Sequence, residues 1–375
     1  MIIFFLTSII RFRKIYIDKI NVNYLIWLIL VLAFSFVISK NIYFSYDNFI
    51  FAFFRACLGV FSAFFIPLWI KTSSNKYKIL IVIKNILLLH VFIQFLFYIL
   101  FTIGITHIFN IIPHGEQTNR GEWFNIYSYT TYYRFGGIFE EPSWYCWFMV
   151  FLLGIIINYE KITNIKILGN TALFFIFLSF ILTFSIAGLV SITILILIRF
   201  SSTTLTLRYL LIYIAVIITF LLFLQFNESP FIERIYATLN GNDSSSNIRL
   251  FGSIDRLYNI VTNNIFGTGL GNSIQGITYY SGLEKIYYNG TISNQNGYIE
   301  TFISTGLICG TIYILPIIKL ATSKNTICLF ITITLVFFTT SSIFNSAMWF
   351  LLFLSFYITK DVTKNENTNI GFHNE

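Results

Sequence analysis

The sequence predicts an all-α polytopic integral membrane protein with about ten transmembrane helices. Three observations carry this. Charged residues make up only 11% of the 375, where soluble chains carry about a quarter. The mean hydropathy is +0.76. Apolar runs near or above the ~20 residues that a helix needs to cross a bilayer recur from end to end. Membrane β-strands alternate and are about ten residues long, so runs of this kind favour helices over a barrel. Residues 1–375 read as one membrane domain.

The amino-terminal "MIIFFLTSIIRFRK" has no basic residue ahead of its apolar part and reads as an interfacial segment, not a cleaved signal. Spans are expected near 22–39, 48–70, 79–103, 143–158, 167–184, 186–200, 209–225, 297–318, 326–342 and 345–359. Basic residues cluster at alternate connections: Arg11, Arg13, Lys14 and Lys19; Lys71, Lys76 and Lys78; Lys161 and Lys166; Arg199 and Arg208; Lys319 and Lys324; Lys360 and Lys364. The positive-inside rule makes these ends cytoplasmic, with both termini inside. Residues 167–200 read either as one long span or as a hairpin turning at Ser185–Gly188. Only the hairpin keeps every basic cluster on one side, and it is the expected arrangement.

Two long segments then face outward, 104–142 and 226–296. Connections of such length are usually functional or disordered. The inward connections are short, so the chemistry is expected on the outer face. The net charge of +8 follows topology, which leaves nucleic acid without support as a partner. Cys57, Cys146, Cys309 and Cys328 form no CxxC pair, and neither a disulfide framework nor a zinc site is indicated. No metal-ligand spacing and no cofactor motif appears.

Outward basic residues are few: Lys40, Arg120, Arg134, Arg234, Arg249, Arg256 and Lys285. Most are arginine, whose planar guanidinium grips phosphate or carboxylate through paired hydrogen bonds. Any single arginine is better explained by snorkelling to headgroups or by pairing with an acid, and only the set as a whole points equally to an anionic ligand. In "SNIRLFGSIDRLYNIVTNN" (Ser246–Asn264), Leu250, Ile254, Leu257, Tyr258 and Val261 recur at helical spacing, and the preceding serines can cap. Arg249 and Arg256 are close to two turns apart and share a face. An amphipathic helix against the membrane surface with two aligned guanidiniums suits a diphosphate; an ordinary basic interfacial helix is the alternative. Gly267 and Gly269 of "GTGLGN" fit neither a Walker nor a Rossmann loop, and mark a turn that lets backbone approach a ligand or another helix.

"RFGGIFEEPSWY" (Arg134–Tyr145) stands at the mouth of the fourth span. Pro142 suits a first helical turn, and Glu140 and Glu141 precede it at the positive helix end. Gly136 and Gly137 permit a sharp turn back. Carboxylates at a membrane boundary are costly unless paired or used. One can lock Arg134 while the other acts as general base; a purely structural Arg–Glu clasp is the alternative. Arg55, inside the second span, either joins the anion site or snorkels outward. His90, deep in the third, reads as a hydrogen-bonded core residue and not as a proton relay.

These segments resemble the signatures of bacterial O-antigen polymerases of the Wzy type, within the wider O-antigen polymerase and ligase superfamily. "RFGGIFEEPSWY" resembles their R-x-x-G-x-F-x-E-P-S motif, and "LTFSIAGLVSI" (Leu182–Ile192) their T-x-S-x-x-G hairpin. "IRLFGSIDRLYNIVTNNIFGTGLGN" resembles their arginine helix and Gly-x-Gly turn, with Arg256 in a frame ending at Gly267. "NQNGYIETFISTGLICG" (Asn294–Gly310) resembles the segment entering the next span, where Gln295 and Asn296 sit. In their order and spacing the four motifs extend over about half the chain, from the fourth span to the eighth. The resemblance implies a glycosyltransferase-C-like, metal-independent enzyme of the bacterial inner membrane. It would transfer a growing polysaccharide from undecaprenyl diphosphate to a new lipid-linked repeat unit at the periplasmic face, with a chain-length regulator (a polysaccharide co-polymerase) as expected partner. Arg249 and Arg256 would then hold the leaving diphosphate, Arg134 would assist, and Glu141, ahead of Glu140, would activate the acceptor hydroxyl. Ligases, and some polymerases, carry a histidine where this chain has Gln295, and glutamine cannot be a base, which tilts the reading towards polymerase without deciding it. Ile186 stands where many relatives have arginine.

A ligase moving polymer to lipid A core remains the first alternative. A flippase for lipid-linked oligosaccharide is the second, although the spans hold few charges beyond Arg55, Lys84 and His90. The tyrosines of Thr278–Gly290 suit either sugar stacking or an interfacial belt.

Overall fold

The computed structural model describes residues 2–12, 15–72, 76–105, 122–125, 130–133, 135–139, 142–200, 236, 240, 251–281, 296–323, 325–339 and 348–358. In chain order its elements are α1 (Ile2–Phe12), α2 (Lys19–Ile38), α3 (Tyr46–Ser62), α4 (Ile66–Thr72), α5 (Lys76–Thr102), β1 (Glu122–Asn125), β2 (Thr130–Tyr133), α6 (Pro142–Thr163), α7 (Asn170–Ile181), α8 (Ile186–Phe200), α9 (Phe251–Asn263), α10 (Ser273–Ser281), α11 (Gly297–Ile318), a short 3-10 turn (Lys319–Thr322), α12 (Ile327–Thr339) and α13 (Met348–Ile358). Among the described residues, five helices are long and apolar enough to cross a membrane: Lys19–Ile38, Tyr46–Ile70, Lys76–Thr102, Pro142–Thr163 and Gly297–Thr322. Helices α7, α8, α12 and α13 are apolar but shorter. The span expected at 209–225 lies outside the described residues. The all-α expectation is amended by one antiparallel ribbon between α5 and α6, with Glu122 opposite Tyr133 and Asn125 opposite Thr130.

The chain forms two compact units, one of residues 1–79 with 245–375 and one of residues 80–244. In the first, Asp18 caps α2 by accepting from the N–H groups of Ile20 (3.0 Å) and Asn21 (2.9 Å). The Tyr357 hydroxyl of α13 donates to the same carboxylate at 3.1 Å, so the cap also ties the last helix to the second. Between them lies an aromatic core. Tyr24 packs edge-on against Tyr313, Trp349 and Phe353, with centroids 5.5, 5.6 and 5.1 Å away. Edge-to-face contact adds to what burial alone provides. The amino-terminal segment is the helix α1. Its buried Ser8 accepts from Trp69 Nε1 at 2.7 Å, Arg11 lies 4.5 Å over the Trp69 ring, and Ile3 and Ile10 stay exposed.

Helix α11 is broken at Gly306, whose φ of 77° and ψ of 176° interrupt the helical backbone. The segment after α9 fills the break. Leu307 N–H donates to Ile265 C=O (3.0 Å), and Thr268 N–H donates to Ile303 C=O (2.8 Å), joined there by the Thr268 hydroxyl (3.2 Å). Two glycines make this approach possible. A Cβ on Gly267 would lie 2.7 Å from Ile303 O and overlap the Gly306 backbone, and one on Gly306 would overlap Phe266. Both have positive φ.

In the second unit, α7 and α8 form the hairpin, but it turns at Leu182–Ser185, ahead of the expected Ser185–Gly188. Phe184 adopts a φ of 47°, and the Thr183 hydroxyl donates to Phe180 O (2.6 Å) while accepting from Ser185 N–H (3.2 Å). Gly188 instead lies inside α8, against the Cys146 side chain of α6. At the other end of the hairpin Arg199 Nε meets Glu160 Oε2 at 2.9 Å, and Nη2 donates to Leu168 C=O. Glu160 Oε1 accepts from the N–H groups of Ile167 and Leu168, both at 2.7 Å. The pair is largely buried and closes the α6–α7 connection onto α8.

Two expectations follow, both read as unfolding temperature of the purified protein in detergent. Gly267→Ala and Gly306→Ala each cost at least about 2 kcal/mol, through positive-φ strain and overlap with backbone. Arg199→Met costs about 3 kcal/mol or more by stranding the buried Glu160 carboxylate.

Candidate functional site

The described residues singled out by sequence fall in two regions, one in each unit. The first is built on α9. Its packed stripe is Ser253, Arg256 and Ile260, while Ile254 and Tyr258 face outward. Ile260 joins Ile277 of α10 and Ile303 of α11 in a small core, with Leu257, Tyr280 and Ile299 against it. Of the two arginines expected to share a face, Arg256 lies on this packed stripe, and Arg249 is outside the described residues. Docking on α11, imposed by the stitch at Gly306, turns that face of α9 inward. Arg256 is 9% exposed, and its Nη1 is buried with no hydrogen-bond partner among the described residues. Burial pulls the guanidinium's pKa below its ordinary value, yet arginine remains a cation. A buried cation with an open donor favours an anion.

Gly267 and Gly269 are occupied by the chain itself. Gly267 abuts Gly306 and Ile303, and a Cβ on Gly269 would lie 2.7 Å from the Phe44 ring. Of the two uses open to this turn, the described contacts are with other elements of the fold. Asn272 completes the docking: its Oδ1 accepts from Ser45 N–H at 2.8 Å and its Nδ2 donates to Ser45 C=O at 3.2 Å. Asn296 is the N-cap of α11, accepting from Tyr298 N–H at 2.9 Å, and is buried. Arg55 is exposed on α3, its guanidinium 4.4 Å over the Phe51 ring. Tyr43, in the α2–α3 connection, gathers Asn41, Asn264 and Tyr280 around its hydroxyl, and burial raises its pKa well above the ordinary value.

The second cluster surrounds the segment Phe135–Phe139, which turns back into the unit as the glycines suggested. Phe135, Gly136 and Gly137 are buried. Phe135 N–H donates to Leu182 C=O at 3.1 Å, and Phe135 C=O accepts from Gln94 Nε2 at 2.5 Å. Gln94 lies eight residues before the end of α5, about 12 Å along the helix. Pro142 opens α6 as expected. His90, one turn from Gln94, packs against the rings of Phe139 (5.3 Å) and Phe148 (5.2 Å). The expectation of a hydrogen-bonded His90 is corrected, because its Nδ1 is buried without a partner among the described residues.

Arg134, Glu140, Glu141, Arg249 and Gln295 lie outside the described residues. Two residues went unnoticed in the sequence. Glu300, in the first turn of α11, is 3% exposed. An acid within an otherwise apolar run was the available signal. Gln94 carried no signal beyond its place one turn from His90.

No family model, curated protein or solved structure matches this chain.

If Arg256 awaits an anion, Arg256→Met leaves the unfolding temperature unchanged or raises it, since an apolar chain of similar length replaces a bare buried cation. Inorganic pyrophosphate at ten times its Kd should stabilise the wild type by about 1.4 kcal/mol and leave Arg256→Met unmoved. Thermal titration of the two proteins checks this.

Proposed function

We propose that this chain is an O-antigen polymerase, a membrane glycosyltransferase that elongates a lipid-linked polysaccharide on the outer face of the bacterial inner membrane. The observation that carries the reading is Arg256, a buried guanidinium whose Nη1 has no partner among the described residues, on a helix whose sequence pairs it with Arg249. In the proposed reaction an acceptor sugar hydroxyl attacks the anomeric carbon of the donor sugar. The bond from that carbon to the undecaprenyl diphosphate breaks, and the diphosphate leaves with the bonding electrons. Arg256, with Arg249, stabilises the charge that develops on the leaving diphosphate. The hydroxyl proton passes to a carboxylate, with Glu141 the first candidate, Glu140 the second, and Arg134 orienting them. The ten-span topology with both termini inside, and the service of the two outer segments as the catalytic face, belong to the same proposal. The five long apolar helices support its membrane setting.

The test is a lipopolysaccharide ladder from a strain deleted for this gene and carrying the wild-type copy or single variants at matched membrane levels. Wild type should restore a ladder where the deletion shows a single repeat. Arg256→Ala and Glu141→Ala should each reduce polymer at least about 100-fold, as expected for loss of a transition-state contact of roughly 3 kcal/mol. Core alone, with long polymer accumulating on the lipid carrier, would indicate a ligase instead. The absence of both repeat and polymer from the outer face would indicate a flippase.

A further inference from the structure

Tyr43, in the α2–α3 connection, and Tyr279 and Tyr280, in the last turn of α10, form a closed trio of rings. Each ring touches the other two. The centroids of Tyr43 and Tyr279 are 5.2 Å apart, those of Tyr43 and Tyr280 5.5 Å, and those of Tyr279 and Tyr280 5.1 Å. Two of the three rings are anchored. Tyr280 packs against the small core of Ile260, Ile277 and Ile303. The Tyr43 hydroxyl lies 3.1 Å from Asn41 Nδ2, 3.4 Å from Asn264 Nδ2 and 3.4 Å from the Tyr280 hydroxyl. Tyr279 is the exposed member, 57% open, and it rests on the two anchored rings. An aromatic ring held still in the open offers contact area at little cost in ordering.

The hydroxyl protons run in one direction. Asn264 is oriented by its other bonds: its Oδ1 accepts from Phe266 N–H at 3.1 Å, and its Nδ2 donates to Gly267 C=O at 2.8 Å. Its amide, like that of Asn41, therefore donates to the Tyr43 oxygen. With that oxygen accepting from two amides, the Tyr43 proton goes to the Tyr280 oxygen. Burial raises the Tyr43 pKa, so the phenol keeps this proton. The Tyr280 hydroxyl then has its own proton to give, with no acceptor for it among the described residues.

Three phenols and two amides meet here, and none of these side chains is charged at neutral pH. A lipid phosphate finds no cation among them. A neutral polyol fits: the C–H bonds of a sugar ring lie against an aromatic face, and a sugar hydroxyl accepts the Tyr280 proton. Tyrosines of an interfacial belt keep their hydroxyls at headgroup level. The Tyr43 hydroxyl is instead committed to two amides and a second phenol.

We propose that Tyr279 and Tyr280 form a platform that binds a neutral sugar residue, Tyr279 through its ring and Tyr280 through its hydroxyl. Tyr43 positions both. The identity of the bound sugar as part of the lipid-linked glycan rests on the polymerase reading above.

The test uses Tyr279→Ala, Tyr279→Phe and Tyr280→Phe in the full-length protein. The probes are methyl glycosides of neutral hexoses and N-acetylhexosamines, titrated against purified protein by saturation-transfer NMR. At least one glycoside should bind wild type. Tyr279→Phe should bind it equally, because the ring remains. Tyr279→Ala should weaken it at least about ten-fold, and Tyr280→Phe about three-fold or more. Absence of binding to wild type, or equal binding by Tyr279→Ala, overturns the platform. So does a lowered unfolding temperature of Tyr279→Ala in lipid nanodiscs with glycoside binding unchanged, which would mean an interfacial anchor. In the deletion strain at matched membrane levels, Tyr279→Ala should lower polymer by a similar factor, and Tyr279→Phe should give a normal ladder. A normal ladder from Tyr279→Ala despite weakened binding overturns the assignment of the bound sugar to the glycan substrate. Failure of the wild-type copy to restore a ladder would count against the polymerase reading, and the glycoside titration would still decide the platform.

Discussion

A peptide group in an apolar setting must find a hydrogen-bond partner inside the protein, and the break in α11 shows what that requirement imposes. At Gly306 the helix loses its regular bonding. The chain repairs the loss with Ile265 and Thr268, which bond to Leu307 and Ile303. Non-helical backbone within a spanning helix is tolerated where protein covers it, and here the cover is the turn that follows α9. The repair fixes more than its own bonds. It holds the end of α9 against α11, seats Ile260 on Ile303, and so turns the Arg256 face inward. The burial of that guanidinium is thus a consequence of a backbone demand two turns away.

The second unit meets the same demand by other means. Its returning segment, Phe135–Phe139, is bonded to Gln94 on one side and Leu182 on the other. Its far end is closed by Glu160, one of whose oxygens accepts two backbone N–H groups while the other meets Arg199. That carboxylate is a structural group in plain view: its partners are backbone and a cation, and nothing in its geometry calls for a substrate. His90 Nδ1 and Gln94 Oε1, on α5 beside that returning segment, are buried without a partner among the described residues.

Much of the fold was legible because hydropathy reports length and burial directly. The runs near 22–39, 79–103, 143–158 and 297–318 coincide with α2, α5, α6 and α11. The hairpin over 167–200 was legible from the placement of Arg199, which indeed returns to the α6–α7 connection. Its turn came out a few residues early because Thr183 and Phe184, not the glycine, make it. The small ribbon between α5 and α6 was missed, since four-residue strands carry almost no periodic signal. At the candidate site, "FGG" and Pro142 were legible through backbone chemistry, because glycine and proline act on their own φ angles whatever surrounds them.

The orientation of Arg256 and the loss of a partner at His90 were not legible, for one physical reason. Periodicity assigns residues to a helix face but does not say which face meets a neighbour. In α9 the apolar set was read against the membrane surface, and Ile254 and Tyr258 are indeed exposed, but spacing did not show that Ser253 and Arg256 form the face buried in the protein. That choice was made by two glycines far apart in sequence, Gly267 and Gly306, whose missing side chains let two backbones touch. The sequence by itself determined that the chain is helical and apolar, where its charges concentrate, and where its backbone bends. Only the tertiary structure decided which polar atoms are left without partners, because a hydrogen bond depends on distances between segments that composition and spacing do not encode.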